Sequence, residues 1–224
     1  MSTIYIQKDG GPQTEPVSEA NPFPVQQFYG PGQTFSQFKL AMQADWGVAL
    51  IFGGYAFVAS DADQNDRVTG QTSFANTTPT FMLRNPVGSD RLIFPPFYHL
   101  NQTGTVAGGD IAVETEVDRD VYSSSGTSEG VSRQRFGMAT GPVNRGLLYS
   151  GATAIASYGR AVGSVTLAPD VSPAEGVINI YQWDNPGGVL LDPATSLKVF
   201  TSAASTGPTW AWYFPWYEIP LSWL

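Results

Sequence analysis

TFMLRNPVGSDRLIFPPFYHLNQTGTVAGGDIAVETEVD, residues 80–118, is the stretch whose reading decides the fold class. Phe81-Met82-Leu83-Arg84 and Arg91-Leu92-Ile93-Phe94 are short β-favouring runs on either side of Asn85-Pro86-Val87-Gly88-Ser89, whose Pro and Gly supply turn geometry. The pattern predicts a hairpin. Further on, Ile111, Val113, Thr115 and Val117 alternate with Ala112, Glu114, Glu116 and Asp118. Period-2 alternation turns the first set toward a core and the second toward water, as in a half-buried antiparallel strand.

Working outward, the composition agrees with an all-β chain. The 24 glycines and 17 prolines of the 224 residues lie between apolar runs, and charged residues are only 13%, so turns are frequent and helices lack their usual Glu/Lys faces. Lys and Arg total 11 against 19 Asp and Glu, a net charge of -8, which argues against tracking a nucleic-acid backbone. With no Cys and one His, neither a disulfide scaffold nor a thiolate metal site is available, and no cofactor is expected. Met1–Asp9 shows no apolar segment behind basic residues, so no secretory signal is expected. The longest apolar tract, Trp46–Ala59, is 14 residues with three glycines, short of the ~20 that cross a bilayer as a helix.

Upstream of the opening stretch, residues 1–33 hold a possible short strand, Thr3–Ile6, and then a Pro/Gly-rich segment that cannot sustain regular structure. Phe23, Val25, Phe28 and Tyr29 are apolar groups that a solvated tail would not need. They predict an extended arm, residues 1–33, lying on its own domain or a neighbour, before a domain over 34–224. Phe38, Leu40, Met42, Ala44 and Trp46 alternate as a strand, with a helix behind Thr34 as the rival reading. Val48–Phe52 and Tyr55–Ala59 around Gly53-Gly54 read as another hairpin. Asp61, Asp63 and Asn65 match the first positions of a calcium loop, but Asp66 stands where Gly is required and Thr72 where a bidentate Glu is required. An acidic turn is the expected reading, with calcium left as an alternative.

Downstream, Tyr122–Gly130 is a polar loop that marks an edge of the domain. Arg133, Arg135, Arg145 and Arg160 are the expected partners of the acidic face Glu114, Glu116, Asp118 and Asp120. Short runs at Leu147–Tyr149, Ala161–Leu167, Gly176–Trp183, Gly188–Leu191 and Leu197–Phe200 recur at a spacing suited to a sandwich or barrel. Residues 209–224, TWAWYFPWYEIPLSWL, hold four of the six tryptophans. Trp210, Trp212 and Phe214 share one strand face, and Pro215 limits regular pairing.

No catalytic constellation is visible. His99 follows Pro95-Pro96-Phe97-Tyr98 with no local carboxylate to orient it, so packing or loop hydrogen bonding is its expected role. There is no Gly-x-Ser-x-Gly elbow. Glu114 and Glu116, two apart on one strand face, cannot flank a sugar bond as a glycosidase pair does. A hydrolase is therefore the weakest of the readings. The aromatic tail reads as core or as contact surface. Because Trp210, Trp212, Tyr213, Trp216, Tyr217 and Trp223 occupy strand faces of both parities, some are expected to meet another chain. A sugar platform is the further alternative, against which stands the tail's lack of polar side chains.

Three elements together, Asn21-Pro22-Phe23-Pro24-Val25, Leu83–Ser89 followed by Arg91–Phe94, and Trp216-Tyr217-Glu218, resemble those of small structural proteins of tailed-bacteriophage virions, most nearly capsid decoration or cement proteins. The resemblance implies a jelly-roll-like antiparallel β-sandwich. It further implies a non-enzymatic subunit, a homotrimer on the capsid exterior, that bridges major capsid protein subunits without touching nucleic acid or membrane. The alternative is a carbohydrate- or receptor-binding module of a tail fibre or tail tip. The long repeats and heptads common in fibre shafts are absent here, which favours the shell.

Overall fold

The computed structural model describes residues 46–61, 66–103, 110–120, 122–138, 140–154, 159–167, 180–185, 188–204 and 206–224. The expected arm, the strand over 37–46 apart from its last residue Trp46, which is helical, and Asp63 and Asn65 lie outside them. One helix, α1 (Trp46–Gly53), opens the described chain. The strands follow as β1 (Ala56–Ser60), β2 (Val68–Thr69), β3 (Phe81–Asn85), β4 (Arg91–Phe94), β5 (Phe97–Gln102), β6 (Ile111–Arg119), β7 (Tyr122–Ser124) and β8 (Thr127–Ser128). After them come β9 (Ser132–Arg133), β10 (Leu147–Ser150), β11 (Thr153–Ala154), β12 (Arg160–Leu167), β13 (Ile180–Asp184), β14 (Thr195–Ala203) and β15 (Thr209–Pro220).

Two antiparallel sheets face each other as a sandwich. The first runs β13-β5-β15-β1-β9, with β2 and β4 also on β15, and the second runs β12-β6-β14-β3-β10-β8. Followed in chain order, β1, β4–β5, β13 and β15 fall in the first sheet, and β3, β6, β12 and β14 in the second. The last strand lies beside the first, and the fourfold orders β13-β5-β15-β1 and β12-β6-β14-β3 are those of a jelly roll. The expected all-β, jelly-roll-like sandwich is what the chain forms.

The core between the sheets is strongly aromatic. Along β15, burial alternates so that Trp210, Trp212, Phe214, Trp216 and Glu218 face inward. Tyr98 of β5 stacks on Phe214 at 4.9 Å and on Trp183 at 5.4 Å, while Phe81 of β3 meets Phe214 at 5.0 Å from the opposite sheet. Such offset and tilted pairs add to the area they bury. The Tyr98 hydroxyl finds Thr115 Oγ1 at 2.5 Å, which satisfies a polar atom otherwise cut off from water. Burial pushes its ionisation well above the ordinary tyrosine range.

Two expected hairpins are corrected. Val48–Phe52 is helical, because WGVALIFG is apolar throughout and offers no period to tell strand from helix. Gly54, at φ +78°, closes α1: its N–H bonds Ile51 O at 3.1 Å and that of Tyr55 bonds Leu50 O at 2.9 Å. This is a Schellman motif rather than a hairpin turn. The runs Phe81–Arg84 and Arg91–Phe94 do not pair with each other; β3 joins β10 and β14, while β4 joins β15 in the opposite sheet. A turn does form, with Gly88 at φ +80° and Ser89 N–H on Pro86 O at 3.1 Å. The buried Asn85 amide then donates to Arg91 O at 2.9 Å and Leu191 O at 2.8 Å, tying the crossing where ladder bonds would otherwise run.

The alternation on β6 holds for Ile111, Val113 and Thr115, all fully buried, but Glu116 is buried too. Gly159, just before β12, donates its N–H to Glu116 Oε2 at 3.3 Å. The partner of the acids is Lys198 of β14: its fully buried ammonium sits 3.0 Å from both Glu116 and Asp118. Asp120 takes Arg84 in a two-pronged pair at 2.7 and 2.6 Å. Three of the four expected arginines are engaged elsewhere. Arg133 donates to the carbonyls of Gly141 and Pro142, Arg135 to that of Phe52, and Arg145 to Asp90 at 3.0 Å.

Glu218 is a fully buried carboxylate on the inward face of β15. Its Oε1 accepts from the backbone N–H of Arg145 and of Gly146, each at 2.8 Å, and from Trp216 Nε1 at 3.1 Å. Burial raises its proton affinity above the usual glutamate range, against the pull of those donors. Folding therefore takes up a proton here, and this group's contribution falls as pH rises from the ordinary glutamate range through the raised one. Glu218→Gln keeps one accepting oxygen and should flatten that stretch of the stability profile in melts taken from about pH 4 to 7. Glu218→Ala strands several buried donors and is expected to cost at least ~3 kcal/mol at any pH.

Candidate functional site

The structure divides the expected contact residues. Trp210, Trp212 and Trp216 are at most 4% exposed and belong to the core, so they are not available to a neighbouring chain. The inter-sheet space takes them because all three have even parity on β15, together with Phe214. Trp223 is half-buried and packs edge-on against Tyr55 at 4.9 Å. Tyr213 and Tyr217, of odd parity, face outward. Phe23, Val25, Phe28 and Tyr29 lie outside the described residues. Asp61 pairs with Arg67 at 3.0 Å, and no cluster of three or more metal-ligating side chains occurs among the described residues.

What the fold assembles is an aromatic outer face on the first sheet, in two halves. In one half Phe94 of β4 lies nearly parallel to Tyr217, with planes 12° apart and centroids at 6.3 Å. Trp46, the first residue of α1, meets both rings edge-on at 5.2 and 5.3 Å and stays 45% exposed. In the other half Phe97 and His99, two apart on β5, have ring centres 4.9 Å apart, and Tyr213 across the ladder lies 6.1 and 6.2 Å from them.

A proline seam separates the halves. On β15, pairing with β5 ends at Tyr213 and pairing with β4 begins at Tyr217, and the intervening turn of chain is Pro95-Pro96. Alternate residues of a strand send their backbone groups to opposite sides. Thr209 O bonds Thr103 on the β5 side and Glu218 N–H bonds Tyr55 on the β1 side, so odd-numbered Pro215 turns its ring nitrogen toward the gap. A proline here costs no ladder bond, and β15 runs unbroken from Thr209 to Pro220. That answers the expectation that Pro215 would limit pairing: it does so on one side only, since Val58 pairs opposite it on the other.

Beside Tyr213 and His99 runs a polar row that the tail alone does not possess. Asp184 accepts from Gln182 Nε2 at 2.6 Å, and Gln182 Oε1 lies 2.7 Å from His99 Nε2. A carboxylate only accepts, so the Gln182 amide must present its NH₂ to Asp184 and its oxygen to His99; Nε2 of His99 therefore carries the hydrogen. Surface hydrogen bonding is thus the part His99 plays. Glu114 is partly buried, and burial followed by the neighbouring Glu116 raises its proton affinity. Sequence reading missed Trp46, Phe94, Phe97, Gln182 and Asp184. The available signal was the alternation Phe97, His99, Asn101 against Tyr98, Leu100, Gln102. Set against protein-family models, curated proteins and solved structures, the chain gives no match.

Proposed function

We propose that the protein is a non-enzymatic structural subunit of a bacteriophage particle, a decoration protein that sits on the capsid exterior as a trimer and bridges major capsid subunits. The observation that supports this reading most is the dry half of the outer face, Trp46, Phe94 and Tyr217. Large aromatics grouped on a sheet's outer face, with Trp46 45% exposed, are the composition of an interface centre. Jelly rolls serve in viral shells among other roles, so the fold is compatible with this function without implying it. The resemblance of the Asn21–Val25, Leu83–Phe94 and Trp216–Glu218 motifs points the same way.

The test is binding of purified protein to undecorated particles, followed by sedimentation and particle imaging. Trp46→Ala and Tyr217→Ala are expected to lose most of their occupancy, and Trp46→Ala, at a residue that is 45% exposed, should also melt close to the parent chain. Full occupancy in both variants, or no binding by the parent chain, overturns the assignment.

A further inference from the structure

We propose that the second half of the outer face, built by Phe97, His99 and Tyr213 with Gln182 and Asp184, is a carbohydrate-binding site for neutral pyranose units. Three rings in a triangle of 4.9, 6.1 and 6.2 Å offer an apolar surface of the size against which the C–H face of one sugar ring packs. Face-to-face stacking would bring the parallel pair Phe97 and Tyr213 much closer than 6.1 Å, so their rings are offset and widen the platform. Tyr213 is 37% exposed, while Gln182 and Asp184 are open to solvent.

The polar row supplies what a sugar's rim requires. Hydroxyls both donate and accept, and Asp184, Gln182 and the exposed Asn101 provide acceptors and amide donors beside the rings. The chain of bonds from Asp184 through Gln182 to His99 fixes these groups before any ligand arrives, so little ordering cost is left to binding. The same row disfavours a protein seat, since an interface centre is depleted of charge and this half carries a carboxylate, unlike the Trp46 half. No Lys or Arg belongs to the group and the chain carries a net charge of -8, so anionic sugars and phosphates are poor candidates and a neutral glycan fits. The objection raised by the tail sequence, aromatic residues without polar ones, disappears because β5 and β13 bring the polar groups to β15.

The experiment uses the intact chain on a printed array of neutral oligosaccharides containing glucose, galactose, mannose and N-acetylhexosamines, with calorimetric titration of the strongest ligand. The parent chain is expected to bind. Tyr213→Ala should weaken binding by about tenfold or more and Gln182→Ala by a smaller factor. Both should melt within about 2 °C of the parent. Trp46→Ala should keep sugar binding while losing particle occupancy, which separates this site from the proposed attachment surface. A silent array, or ligands whose affinity ignores Tyr213 and Gln182, overturns the proposal; a protein partner lost in Tyr213→Ala with the array silent would reassign the surface.

Discussion

Trp216→Ala is expected to destabilise the protein by ~3–5 kcal/mol, the range for removing a large buried aromatic. The indole is fully buried and lies near-parallel to Phe57 at 6.3 Å. Gly146 presses on it so closely that a β-carbon there would fall 2.7 Å from Nε1 and 3.0 Å from Ile93. Little can move in to fill the space, because the surroundings are backbone and other rings. The variant also takes one donor from the buried Glu218 carboxylate. For a domain of this size the melting point should fall by roughly 6–20 °C. Trp216→Phe, which refills part of the volume, should recover part of the loss. A Trp216→Ala protein that melts like the parent would contradict the placement of β15 in the core.

Lys198→Met is the second large effect. The substitution keeps the apolar stem, which lies with its ammonium 5.5 Å from the Phe200 ring, and removes only the charge that Glu116 and Asp118 share. Removing one partner of a buried ion cluster leaves uncompensated carboxylates, a loss of ~3–5 kcal/mol. Adding Glu116→Gln and Asp118→Asn should return much of it, because a neutral buried group bears a smaller desolvation cost. Denaturant unfolding of the single and triple variants measures that coupling. A triple variant no more stable than Lys198→Met would contradict this account.

How far these features were legible from the chain depends on the range over which they are decided. The strand character of Ile111–Asp118 and the common face of Trp210, Trp212 and Phe214 could be read because alternation is local and each strand has one side against the core. The helical state of Val48–Phe52 could not be read, since an all-apolar run has no period and Gly54 serves equally as turn or helix cap. The setting of Glu116 depends on Gly159 and Lys198, 43 and 82 positions further along the chain. The setting of His99 depends on Gln182, 83 positions on. The order of strands within the sandwich was not legible, because no pattern within one strand says which other strand it will pair with. Parity was the missed opportunity: assigning the tail's tryptophans by odd and even position puts Trp210, Trp212 and Trp216 inside and leaves Tyr213 and Tyr217 for the surface.

The position of β14 and β15 has a consequence for how the molecule is made. Both occupy the interior of their sheets, β14 between β6 and β3, and β15 between β5 and β1. Until residues 195–220 leave the ribosome, β6 has no link to β3 and β5 none to β1, so the second sheet exists only as two unjoined pieces, and in the first β2 and β4 also lack the strand they pair with. Contacts at such long separation slow folding, and unpaired edges in the interval invite association with other chains or cleavage. A polypeptide cut short before β15 keeps nearly all its residues yet lacks the strand that supplies the aromatic spine. A chain that stops before β15 is therefore expected to be cut by proteases far faster than one that reaches residue 220, where both sheets close together.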